Sequence, residues 1–172
     1  RFDGGFGNRL SSKGGSQPRP MDHRPVMTLS RVCVANDVKL KTILKASVYE
    51  SYDELYQAAN IAIKCGADFV KTCTGKNAKP GFGNGQADAS TLFTAATVMQ
   101  AVADCGQVGI GVKISGGVKT PEDCAKMKFL SDNILGEGFF EDNSLFRFGA
   151  SSLMDNLVNH LEGKTPEKPK SG

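Results

Sequence analysis

Histidine is scarce in this chain and paired cysteines are absent. His23 and His160 are the two histidines, far apart and without a partner pattern. Histidine-based catalysis or metal ligation therefore has no support. Cys33, Cys65, Cys73, Cys105 and Cys124 are scattered with no CxxC spacing. An odd number of cysteines without ligand spacing argues against a disulfide framework and a zinc site. Reduced thiols in a cytoplasmic compartment are expected, with no metal and no cofactor. No apolar run is long enough to cross a bilayer, and no signal-peptide pattern opens the chain, so no membrane association is expected. A strong charge excess is also missing. The net charge of +3 is too small to argue for a nucleic-acid partner.

What remains is an ordinary globular composition, 40% hydrophobic and 23% charged, over 172 residues. That is enough for one domain with a real core. Residues 1–20 are rich in Gly, Ser, Arg and Pro and cannot bury enough apolar surface to order themselves. They are expected to form a tail, with folded structure beginning between Met21 and Thr28 and covering 21–163. Residues 164–172, charged and interrupted by Pro166 and Pro169, form a second expected tail.

Between the tails, strand and helix signals alternate. Residues 27–37 predict a short helix. Strands are expected over 40–47, 68–75, 108–115 and 144–151. Helices are expected over 52–66, 88–106, 120–134 and 152–163. Gly66, Gly106 and Gly163 would end three of them. Asp88 or Ser90 would cap the second, and Thr120, Pro121 and Asp123 form an N-terminal signature for the third. Four such βα repeats predict parallel strands with crossover helices. Both an open doubly wound sheet and part of a (β/α)₈ barrel fit.

Two lysines break this pattern. Lys71 lies inside "FVKTCTGK" and Lys113 inside "GIGVKISGGVK". A single such lysine is usually one that reaches solvent from a strand end. Here Phe69, Lys71 and Cys73 share one strand face, and Lys113 is flanked by Val112 and Ile114. An amine must be neutral to attack a carbonyl and form a Schiff base. At an ordinary pKa, only roughly one lysine in 2,500 is neutral at pH 7. A second ammonium at about 4 Å contributes up to roughly 4 kcal/mol at an effective dielectric of 20, or about three powers of ten in proton affinity. One lysine can thus be the nucleophile and the other the cation that discharges it. Glycine- and serine-rich turns follow the last two strands, "SGG" at 115–117 and "GASS" at 149–152. Alone each is a turn or a cap. After consecutive parallel strands they also suit a phosphate.

"GADFVKTCTGK", "VGIGVKISGGVKTPEDC" and "FRFGASSLM" together resemble the deoxyribose-phosphate aldolase family, and the resemblance runs from about Leu29 to His160. It implies a TIM-type parallel (β/α) barrel of which about the last four βα units are present. It also implies reversible cleavage of 2-deoxy-D-ribose 5-phosphate to acetaldehyde and D-glyceraldehyde 3-phosphate in deoxyribonucleotide catabolism. The family's Schiff-base lysine matches Lys71 and its second lysine matches Lys113. Its substrate contacts match Thr74, Gly75, Lys76, Gly116, Gly117, Ser151 and Ser152.

The chain departs from that family in four ways. Cys73 replaces a usual serine, and the link at residues 77–88 is long. Lys45 stands where a carboxylate is usual, which would add a third positive charge at the site. The first half of the barrel, with the family's proton-relay aspartate, has no counterpart. A half barrel leaves strand edges open. The expectation is a fragment of a longer product, pairing with a missing N-terminal half, or a homodimer, with Ile43, Val112, Ile114 and Phe148 exposed and little turnover. A catalytically silent binding or scaffolding protein is the alternative. An open α/β domain binding flavin or a phosphosugar is a weaker one, since no GxGxxG follows the first strand.

Overall fold

The computed structural model describes residues 23–73 and 92–164. Its elements run α1 Arg24–Ala35, β1 Lys41–Ile43, a 3₁₀ turn Ala46–Val48, α2 Tyr52–Lys64, β2 Phe69–Lys71, α3 Leu92–Asp104, β3 Gly111–Ser115, α4 Pro121–Ile134, β4 Phe146–Gly149 and α5 Leu153–Leu161. The four strands form one parallel sheet in the order β1-β2-β3-β4. Chain order and spatial order coincide. An open doubly wound sheet reverses strand order at a switch point, whereas consecutive neighbours are what a barrel needs. The architecture is α/β, a partial barrel.

Side-chain alternation gives the sheet two unlike faces. Val70, Val112, Ile114 and Phe146 lie on one. They are buried together with Leu55, Ala59 and Ile63 of α2 and Val98 and Met99 of α3. Helix α3 packs between α2 and α4, so it is apolar on both flanks and buries Thr94, Ala95, Val98, Met99, Ala101 and Val102. The other face carries the lysines. Val112 and Ile114, expected to be exposed, are in fact fully buried. They alternate with Lys113, so they sit beneath the helices rather than on the lysine side. Ile43 is exposed as expected, at 46%. Phe148 is half-buried, edge-on to Phe140 and Phe146.

Helix boundaries follow local chemistry. Ser51 caps α2 by accepting the Glu54 N–H at 3.1 Å. Thr120 and Asp123 form a full capping box on α4, with Pro121 in the first turn. Gly66 and Gly106 take positive φ just past α2 and α3, as a left-handed stop requires. Strands are shorter than their apolar runs suggest. β1 ends at Ile43 because Lys45 turns into the left-handed region at φ 52° and leads into the 3₁₀ turn. The caps expected at Asp88 or Ser90 lie outside the described residues, as do both terminal segments beyond 23 and 164.

The outermost helices pack least. α1 buries no residue, and its Met27, Leu29, Val32 and Val34 are exposed. Ser30 Oγ donates to the Gly66 carbonyl at 3.2 Å. α5 buries Leu153 and exposes Met154, Val158 and Leu161.

Asp68 ties the start of β2 to the segment before β1. Its carboxylate accepts the Leu40 N–H at 2.8 Å and the Lys39 ammonium at 2.9 Å. Burial pushes its pKa up, but the Leu40 amide and Lys39 together hold it below the usual carboxylate range. A depressed native pKa adds stability that is complete above the unfolded value of about 3.9 and is lost as pH falls through the native value. Asp68→Asn is expected to lower stability by about 1–2 kcal/mol at neutral pH, mostly through the amide contact, since the pair with exposed Lys39 contributes little. Urea unfolding should show this loss, and it should shrink as pH is lowered into the acid range.

Candidate active site

The register of β2 and β3 brings the two sequence-predicted lysines together. Lys71 and Lys113 are direct partners across the parallel ladder. On either side, Lys71 pairs with Ile43 and Lys113 with Arg147. One layer below, Lys41, Phe69 and Gly111 form a second row. The face thus carries Lys41, Lys71, Lys113 and Arg147, and none of its described strand positions is a carboxylate.

Glycine makes room for this convergence. A Cβ on Gly149 would lie 2.8 Å from Ser115 Cβ, 3.0 Å from Lys113 Cε and 3.4 Å from Lys71 Cε. The ends of both lysines therefore lean over the bare backbone of β4. Gly111 serves a similar purpose. A Cβ there would overlap the Phe69 ring, so the ring lies across β3. The Arg147 guanidinium stacks on that ring at 4.6 Å from its centroid.

Both lysines are half-buried rather than enclosed. At Lys113, burial, then Lys41, Lys71 and Arg147, all disfavour the ammonium and hold its pKa below the ordinary lysine range. Sequence reasoning assigned the extra positive charge to Lys45. In the structure Lys45 is exposed beyond the end of β1, and the cations acting on Lys113 are Lys41 and Arg147 together with Lys71. Both were missed, although alternation from Ile43 and Gly149 would have put them on this face.

Above the lysines, a buried polar network joins the strand ends. Ser115 N–H donates to Thr72 Oγ1 at 3.0 Å and Ser115 Oγ donates to the Cys73 carbonyl at 2.7 Å. Cys73 N–H donates back to Ser115 Oγ at 3.3 Å, and the Cys73 thiol donates to the Ser115 carbonyl. The turn that follows has Gly116 and Gly117 at φ 88° and 73°. Ser151 is exposed, and Ser152 occupies the N-cap of α5 without a side-chain capping bond. Thr74, Gly75 and Lys76 lie outside the described residues, as does the 77–88 link.

Consecutive parallel strands with lysines paired on one face and helices on the other define a segment of a (β/α) barrel. A family model described as DeoC/LacD family aldolase matches residues 15–150, and the chain belongs to that family. Solved structures agree on the fold. A candidate deoxyribose-phosphate aldolase from Toxoplasma gondii ME49 is 23% identical with a TM-score of 0.64, over 83% of this chain and 54% of that one. Another from Coccidioides immitis is 25% identical with a TM-score of 0.56, over 81% and 45%. The deoxyribose phosphate aldolase of Aeropyrum pernix, a tetramer, is 22% identical with a TM-score of 0.55, over 81% and 48%. The chain therefore spans about half the length of these structures. None of the helices among the described residues is long and apolar enough to cross a membrane.

Gly149→Ala is expected to force the lysine ends and Ser115 apart at a cost of about 1–3 kcal/mol, as overpacking does. A lower denaturant midpoint, together with altered amine-reagent labelling of both Lys71 and Lys113, would show it. Unchanged labelling of both would mean that their ends do not converge on β4.

Proposed function

We propose that this chain carries the Schiff-base centre of a class I aldolase acting on 2-deoxy-D-ribose 5-phosphate. One observation carries the proposal: Lys71 and Lys113 are ladder partners whose side chains meet over Gly149. Lys71 is the proposed nucleophile. Its neutral Nζ adds to the aldehyde carbon of the open-chain sugar, and loss of water gives an iminium. The iminium withdraws the electron pair of the C2–C3 bond as the C3 hydroxyl gives up its proton. Glyceraldehyde 3-phosphate leaves, and the enamine is protonated at C2 and hydrolysed to acetaldehyde. Lys113, whose surroundings disfavour the ammonium, is suited to take and return a proton at this centre. Gly116, Gly117, Ser151 and Ser152, with Thr74, Gly75 and Lys76, are the proposed contacts to substrate and phosphate. The positive φ of Gly116 and Gly117 lets the backbone come close to a bound anion, which supports the phosphate role.

Turnover needs the rest of a barrel. Among the described residues β1 and β4 each pair along one edge only, and α1 and α5 expose apolar residues, so further βα units have surface to pack against. Pairing with another half fits better than pairing with a second copy. A second copy would bring a second set of four cations to the same interior, with no strand-borne carboxylate to balance them.

Borohydride reduction in the presence of acetaldehyde tests the nucleophile. An adduct is expected on Lys71, lost in Lys71→Ala, with turnover of the sugar phosphate weak or absent in this chain alone. An adduct on other lysines, undiminished in Lys71→Ala, would remove Lys71 from the mechanism. Binding of a partner protein that tolerates Lys71→Ala, with no adduct, would instead favour a silent scaffold.

A further inference from the structure

Arg147 has no place in the chemistry above, yet it is the most firmly directed cation on the lysine face. It is the ladder partner of Lys113, one strand away. Its Nε donates to the Asn143 carbonyl at 3.0 Å, and its guanidinium lies on the Phe69 ring. Phe69 itself is buried and held across the bare backbone of Gly111. One side chain from β2 thus crosses β3 to support a charge from β4.

We propose that Arg147 is a positioning residue for the lysine pair, a fixed positive charge aimed along the lysine face by the Phe69 ring and the Asn143 carbonyl. An arginine suits this task because its guanidinium stays charged at every pH at which a lysine titrates. A lysine in the same place would itself release a proton at alkaline pH. Among the described residues, the charged groups that face Lys113 are Lys41 from β1, Lys71 from β2 and Arg147 from β4. All are cations. Of these, Arg147 is the one that cannot relieve the repulsion by losing its proton.

The consequence for catalysis rests on the aldolase proposal, but the charge effect is measured without turnover. Trace acetic anhydride acylates neutral amines, and peptide mass spectrometry reads the labelling of Lys113 against pH in the intact chain. In Arg147→Gln, labelling at a fixed, mildly alkaline pH should fall by about threefold to tenfold, because less repulsion leaves less of Lys113 neutral. Arg147→Lys should keep most of the wild-type labelling where the new lysine is charged, then lose it at higher pH. Added salt should lower the labelling of the wild type more than that of Arg147→Gln, in which Lys41 and Lys71 still repel Lys113, because Arg147 is exposed enough to be screened. Equal falls in Arg147→Gln and Arg147→Lys at the lower pH would mean that Arg147 is only a packing element. No fall in either, or no effect of salt on the wild type, would overturn the proposal. If Arg147→Gln fails to fold, Arg147→Lys decides it: its Lys113 labelling should match the wild type where the new lysine is charged and fall below the wild type at the pH where that charge is lost, and a match at every pH would overturn the proposal. Labelling that behaves as proposed, with no acetaldehyde adduct on Lys71, would refute the aldolase mechanism and leave the charge effect standing.

Discussion

The register between β2 and β3 sets Phe69 against Gly111, Val70 against Val112 and Lys71 against Lys113. A slip of one residue would turn the lysines toward α2 and α3 and the valines toward the lysine face. An ammonium under those helices would lose its water with no carboxylate to replace it, a penalty of several kcal/mol. The apolar and cationic patterns of the two strands therefore specify the same alignment. The helices complete the constraint, since Val70, Val112 and Ile114 pack against α2 and α3 only in that register.

Collecting like charges on one face works against stability. The chain meets that cost with features that are individually small. Two glycines remove side chains where lysine and phenylalanine need space. A phenylalanine ring receives the arginine. Half-burial leaves the lysine ends access to water. Burial, and after it the remaining repulsion, lower the proton affinity of Lys113. Removing a cation from this face should therefore relieve the sheet and raise the proton affinity of Lys113 together.

Much of this was legible in the sequence. The four βα repeats, the capping box at Thr120 and Asp123, and the lysine pair all rest on short-range patterns. Those patterns survive folding because they are local or because parallel strands of similar length align them. Three features were not legible. Exposure of Val112 and Ile114 was misjudged because a run such as "GVKIS" does not say which of its faces meets the helices. β1 was drawn too long because nothing in "ILKAS" announces a left-handed Lys45. Arg147 and Lys41 were overlooked because their importance comes from register with other strands. Alternation alone would have found them once Lys113 was chosen as the reference.

The crossed hydrogen bonds among Thr72, Cys73 and Ser115 close the ends of β2 and β3 by side chains where the ladder stops. They act as a knot below which the lysines are held and above which the chain departs. Whatever length of polypeptide leaves Cys73 or Ser115 starts from an anchored point. The length of the connections on this side of the sheet can therefore differ while the spacing between the two amines stays the same.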